Sequence, residues 1–166
     1  MPRRLLRDRQ VVVDEWLYVA EAACDAAAPL IVTFDQWRME PDTWIARGSR
    51  LGVMLAPADK VEDIAPDLGH FSLIAAQFPS PSEGRGYSQA RLLRERWNFK
   101  GELRAVGQVR TDQVFFMARC GFNSFELPES DLSGALAAFS TFSAAYQPSN
   151  DLGLAVKLRP DIPASA

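Results

Sequence analysis

Short apolar runs alternate with helical stretches along most of the chain. LIVTF (30–34) is a run of β-formers and reads as a buried strand. DQWRMEPDTWIAR follows with helical character, interrupted at Pro41. RLGVMLA is the next strand, and DKVEDIAPDLGH reads as a helix or two short turns. FSLIAAQFP is a third strand, SQARLLRERW a helix with Ser88 as its N-cap, and GELRAVG a fourth strand. TDQVFFMARCG predicts a helix with Thr111 as N-cap and Gly121 as its stop. NSFELP is a fifth strand. DLSGALAAFSTFSAAYQ is the last helix, with Leu132, Leu136, Phe139 and Phe142 at helical spacing.

Strands that are apolar throughout, with helices between them, predict an α/β fold: a mostly parallel sheet of about five βα units. Either an open doubly wound sheet or a partial (βα) barrel fits, because right-handed crossovers are common to both. Residues 11–20 carry alternating β-formers (Val11, Val13, Trp16, Tyr18) and predict a strand or hairpin at a sheet edge. Residues 1–10, MPRRLLRDRQ, read as a mobile basic arm, 11–147 as a single α/β domain, and 148–166 as a C-terminal tail. Within that tail, LGLAVKL is a segment that could pair onto a sheet edge or a neighbouring subunit.

Composition narrows the function classes. The chain has 166 residues, 48% hydrophobic and 23% charged, with a net charge of -3. This is globular composition with an acidic balance, which argues against a nucleic-acid binder. No apolar run is long enough for a membrane span and the basic start lacks a clean apolar core, so a soluble, cytoplasmic protein is expected. Cys24 and Cys120 are far apart and form no metal-binding or redox pair. The single histidine, His70, excludes a metal site built from several histidines. Neither a metal nor a cofactor is expected. His70 and Cys120 both read as structural residues. A helix C-terminus raises a thiol pKa and disfavours a nucleophilic thiolate at Cys120.

Charge and turn chemistry concentrate at one joint. FPSPSEGRGYSQARLLRER (78–96) combines prolines and glycines with arginines. Residues 84–110 carry seven cations (Arg85, Arg91, Arg94, Arg96, Lys100, Arg104, Arg110) against two carboxylates (Glu95, Glu102). In parallel α/β folds the loops leaving strand carboxyl ends gather on one side, where ligands bind. The loop at 78–88 and the loop at 104–113 are therefore expected to be neighbours.

Gly84 and Gly86 flank Arg85 and would allow close backbone approach. Ser88 would open a helix whose free N–H groups favour an anion, and Arg85 could close over it. Arg110 extends the same face, with Arg91 and Arg104 as supporting charges. The competing reading is structural: Arg94 and Arg96 as solvated or ion-paired helix residues, and Arg104, inside a strand, as one half of an ion pair. GRG is neither a P-loop nor a dinucleotide fingerprint.

The ordered series FPSPSEGRGYSQARLLRER, GELRAVGQV, and DQVFFMARCGFNSF resembles the bacterial domain-of-unknown-function family 934 over residues 78–127. IVTFDQW and LGVMLA extend the likeness more weakly toward residue 30. Two positions depart from the family pattern: Glu83 and Gln108 stand where it usually has Asp. The resemblance implies an accessory role in assimilatory sulfate and sulfite reduction. The expected partners are sulfite reductase or phosphoadenylyl-sulfate reductase, and a small anionic ligand.

Two further readings stand beside an anion-binding or docking protein. A small α/β enzyme acting on a phosphorylated or sulfur-containing anion would use Glu83, Tyr87 or Asp112 for acid–base chemistry. A structural subunit would use the arginines in an interface, and a homodimer is expected on the ground of open sheet edges.

Overall fold

The computed structural model describes residues 3–20 and 27–141. Among these residues eight strands form one sheet: β1 (Arg4–Arg7), β2 (Gln10–Val13), β3 (Leu17–Tyr18), β4 (Leu30–Thr33), β5 (Leu51–Leu55), β6 (Leu73–Phe78), β7 (Glu102–Gly107) and β8 (Ser124–Phe125). Their order across the sheet is β2-β1-β8-β7-β6-β5-β4-β3. The six strands from β3 to β8 are parallel and lie in sequence order, while β1 runs antiparallel to both β8 and β2. The sheet is therefore mixed, which corrects the expected run of about five parallel βα units.

Among the described residues six helices form: α1 (Phe34–Met39), α2 (Pro41–Ala46), α3 (Val61–Ile64), α4 (Arg85–Glu95), α5 (Val114–Cys120) and α6 (Leu132–Thr141). Local chemistry sets their ends. Thr33 and Gln36 form a reciprocal capping box at the start of α1, with Thr33 Oγ1 accepting from the Gln36 N–H at 3.2 Å and Gln36 Oε1 accepting from the Thr33 N–H at 2.9 Å. Pro41 sits in the first turn of α2, where its missing N–H costs nothing. Gly121, at φ 119°, ends α5 in the left-handed region as expected. Two starts differ from expectation. Helix α4 begins at Arg85 after Gly84, so Ser88 lies inside it rather than capping it. Thr111–Gln113 form a separate 3₁₀ turn before α5.

The helices lie on one face. Phe34, Trp37, Val61, Ile64, Leu93, Val114, Met117 and Leu132 share one core with the outward positions of the strands: Val32, Val53, Ile74, Leu103 and Phe125. The opposite strand positions, Ile31, Leu73, Ala75 and Val106, form a smaller cluster around Trp16. Helices on one side of a sequentially ordered parallel sheet are the mark of a barrel-like, not a doubly wound, arrangement.

The connection between β2 and β3 shows how far the sheet curls. These strands are its two edges, yet only residues 14–16 join them. Four backbone steps reach about 14 Å at most, whereas a flat eight-stranded sheet would separate its edges by about 34 Å. The sheet is thus curled into a half-barrel, and residues 14–16 cross its hollow.

The expected basic arm is the hairpin that makes this possible. Leu5 and Leu6 are fully buried, and Asp8 and Arg9 form a two-residue turn with φ of 48° and 61°. Three of the four arginines of this segment are held by carboxylates, Arg3 by Asp14, Arg4 by Glu129 and Arg7 by Glu102, and Arg9 stands over the Phe139 ring. Both the expected tail at 148–166 and Cys24 lie outside the described residues. No helix among the described residues is long and apolar enough to cross a membrane.

Candidate functional site

The loop after β6 and the loop after β7 lie side by side at the carboxyl end of the sheet. The Gln108 N–H donates to the Phe78 carbonyl at 2.7 Å, and Gln113 Nε2 donates to the Pro81 carbonyl at 2.9 Å. Gly107 makes the first contact possible. Its φ is +95°, and a Cβ there would meet the Phe78 oxygen at 2.5 Å. Sequence order alone placed these loops together, and the hydrogen bonds join them.

The expected ligand residues separate into three environments. Arg85 and Arg110 are exposed at this end, with 68% and 61% of their side-chain surface accessible. Each has a local acid: Glu83 Oε1 lies 4.0 Å from Arg85 Nε, and Asp112 accepts from Arg110 Nε at 2.9 Å. Arg91 lies on the solvent face of α4, 3.6 Å from Glu95. Arg104 is elsewhere, fully buried on the helix-free side of the sheet.

The glycines also divide. Gly84 faces open space, while a Cβ on Gly86 would meet the Phe78 ring at 2.5 Å. Gly86 therefore lets α4 pack against the end of β6 rather than admitting a ligand. Ser88 is exposed within α4.

Glu83 takes the place an anion would occupy at this helix start. Its Oε1 accepts from the Arg85 backbone N–H at 3.0 Å. The acid expected at this position is thus a capping group, a task Glu performs as Asp would. The other acid–base candidates do not converge with it. Tyr87 packs its ring against Phe78 and Phe116 at 5.3 and 5.2 Å, and burial raises its pKa. Asp112 faces Arg110.

Arg94, read as an ordinary helix arginine, is a buried clamp. It donates from Nε to the Gly121 carbonyl at 3.0 Å and from Nη1 to the Phe99 and Gly101 carbonyls at 2.6 and 2.9 Å. It fastens the end of α4 to the turn after α5. Arg96 meets Glu62 on the surface at 3.5 Å. Cys120 is buried, and that burial raises its thiol pKa. His70 packs against Trp37, ring centroids 5.6 Å apart.

The ion pair expected for Arg104 is part of a buried charge cluster whose other members sequence reasoning did not identify. On the hollow side of the sheet, Arg104 makes two 3.0 Å hydrogen bonds to Asp14 and two more to Glu102 Oε1, at 3.0 and 2.9 Å. Toward the carboxyl end of β8, the Tyr18 hydroxyl donates to Glu126 Oε2 at 2.8 Å, and Arg3 Nη1 lies 3.6 Å from Glu126 Oε1. The Arg3 guanidinium also stands over the Tyr18 ring at 5.0 Å. Burial, and then the Glu126 carboxylate, push the Tyr18 phenol well above its ordinary value, so it serves as a proton donor to Glu126. The available signal was Asp14, Glu102, Arg104 and Glu126 interrupting otherwise apolar strand segments.

Comparison with known proteins gives a family and no activity. A search of curated proteins found no match to the chain. The model of a bacterial family of unknown function (DUF934) matches residues 52–156, which include the joined loops, α4, the Arg94 clamp and Arg104. Spanning more than half of the sequence, that match places the chain as a member of this bacterial family.

Proposed function

We propose that the chain is an accessory protein of assimilatory sulfate and sulfite reduction. It would present the joined loops after β6 and β7 to an anionic partner surface on a reductase or to an anionic intermediate. The observation that carries this reading is the exposure of Arg85 and Arg110 together on two loops hydrogen-bonded to one another. The sulfur pathway itself comes from the family resemblance.

Between the two kinds of partner, the geometry favours docking. Glu83 already accepts from the first N–H of α4, so a small anion would compete with an internal carboxylate there. A protein surface carrying several carboxylates can engage Arg85 and Arg110 at once, and such complementarity chiefly raises association rate and specificity. Sulfite reductase and phosphoadenylyl-sulfate reductase are the partners to test.

Thermal unfolding of wild type and Arg85→Ala against sulfite, sulfate, phosphate, adenylyl sulfate and 3′,5′-adenosine bisphosphate separates the cases. An anion at about 100 times its Kd adds roughly 2.7 kcal/mol. Docking predicts no such shift, together with salt-sensitive co-purification with a reductase that Arg85→Glu/Arg110→Glu abolishes. A shift with one anion, lost in Arg85→Ala, identifies a small-ligand site instead. If neither the shift nor the co-purification is seen, the reading falls.

A further inference from the structure

We propose that Phe116 is the apolar anchor of the docking face: a fixed ring, set beside Arg85, Arg91 and Arg110, that enters an apolar pocket rimmed by carboxylates on the partner reductase. The assignment rests on the docking reading and adds to it the chemistry of the partner's surface.

Helix spacing places the ring outside the core. Val114, Met117, Ala118 and Cys120 form the buried side of α5, and Phe115 packs on Phe139 of α6 with ring centroids 6.5 Å apart. Phe116 falls outside that stripe and is 57% exposed. Among the described residues it is the one aromatic side chain left more than half exposed. A solvent-facing helix position ordinarily carries a polar or charged residue. Apolar residues scattered singly over a surface are normal, so the surroundings of this one decide its meaning.

The ring is held in place. Its centroid lies 5.2 Å from that of Tyr87, and the Tyr87 ring lies 5.3 Å from that of Phe78, which is buried at the end of β6. The three rings form a row from the core to the surface. A side chain fixed before association loses little freedom on association, which separates an anchor from a loose apolar group. Aromatic side chains that enter a dry pocket carry much of the energy of an interface.

The charge around the ring names the partner's chemistry. Arg85 opens α4 two residues before Tyr87, and Arg91 lies one turn beyond Tyr87 on the same side of that helix. Arg110 precedes the turn that leads into α5, and Gln113, three residues before Phe116, is hydrogen-bonded to the neighbouring loop at Pro81. The side chains of Arg85, Arg91 and Arg110 are 68%, 59% and 61% exposed, each beside one local acid: Glu83, Glu95 and Asp112. Exposed pairs of this kind are worth little, so carboxylates on a partner can take over the same arginines. A free inorganic anion has no use for the ring. A protein pocket that is apolar within and acidic at its rim engages the ring and the arginines together.

Binding kinetics of the full-length chain with sulfite reductase and with phosphoadenylyl-sulfate reductase test the anchor. Phe116→Ser should weaken the complex about 30-fold or more, mainly through faster dissociation, with the salt dependence of wild type. Phe116→Leu, which keeps apolar bulk, should hold most of the affinity. Arg91→Ala should instead slow association and reduce the salt dependence. Wild-type binding by Phe116→Ser, where Arg85→Glu/Arg110→Glu abolishes the complex, overturns the anchor and leaves the docking reading standing. Absence of a complex between wild type and either reductase overturns both. A complex indifferent to Arg85→Glu/Arg110→Glu overturns the carboxylate rim, and the proposal with it. The urea midpoint of Phe116→Ser should match wild type, because the ring is exposed. Should it fall, a photo-crosslinking side chain at position 116 decides. Links to the reductase support the anchor, and links absent or confined to the chain itself overturn it.

Discussion

Arg104 and Asp14, 90 residues apart in sequence, meet through two 3.0 Å hydrogen bonds with both side chains fully buried. Glu102 closes the other side of the guanidinium. The pair fastens the segment that crosses the hollow of the sheet to its central strand. Removing Arg104 leaves buried Asp14 with Arg3 as its remaining cation and Glu102 with Arg7, and an under-compensated buried charge is far more costly than never having buried the pair. Arg104→Met should therefore lower unfolding stability by about 3–5 kcal/mol. The double change Asp14→Leu/Arg104→Met should recover part of that loss, and urea unfolding of the two variants is the comparison.

Tyr18 gives the fold an alkaline limit. Its phenol is raised above the ordinary value of 10.0, first by burial and then by Glu126. Above that pH the unfolded chain releases the Tyr18 proton while the folded chain keeps it. The unfolded state then binds fewer protons, and stability falls as pH rises, by at most about 1.4 kcal/mol per pH unit from this group. Tyr18→Phe should show a shallower loss of urea midpoint between pH 10 and 11.5. It should also be about 1 kcal/mol less stable at neutral pH, from the lost hydrogen bond to Glu126.

Gly107 is the joint between the two exposed loops. An alanine there must adopt φ near +95° and drive its Cβ against the Phe78 carbonyl. Gly107→Ala should cost about 1–3 kcal/mol and loosen the loops. Co-purification with a reductase should weaken in the same variant, whereas exposed Gly84→Ala should leave both properties close to wild type.

Arg94→Lys tests the clamp. A lysine keeps the charge but cannot reach the Gly121, Phe99 and Gly101 carbonyls with one planar fork. A loss of about 2 kcal/mol is expected from carbonyls left unsatisfied in a buried place. Arg85→Ala and Arg110→Ala should change stability by no more than about 0.5 kcal/mol, which makes them clean probes of binding.

Strands β4 to β6 were legible because apolar side chains cover both of their faces, giving runs such as LIVTF and LIAAQF, and β7 and β8 followed from the alternation with helices. The helices between them followed from the remaining spacing. The first hairpin was hidden for a physical reason. Its arginines resemble a solvated arm until Asp14, Glu102 and Glu129 are brought to them from distant parts of the chain. Its turn, Asp8–Arg9, lacks the glycine or asparagine that normally signals two positive φ angles.

The loop face was legible in part. Topology brought the loops together, but glycine spacing did not reveal that Gly86 faces the Phe78 ring. Nor did helix chemistry reveal that Glu83, two residues before Arg85, would cap α4. Arg104 stood out as a charge within a strand, yet its partner across the hollow could not be read from local pattern.

The placement of β1 sets an order on the birth of the molecule. Leu6 pairs with Phe125, so the hairpin, which is made before the rest of the sheet, has no seat until β8 has emerged. During synthesis the parallel strands can assemble from β4 onward, while Leu5, Leu6 and Trp16 wait exposed. A chaperone holding this short N-terminal stretch would protect the growing chain at its most vulnerable point. Pausing of translation before β8 (Ser124–Phe125) has left the exit tunnel should increase the chain's demand for such a holder, and pausing after it has emerged should not.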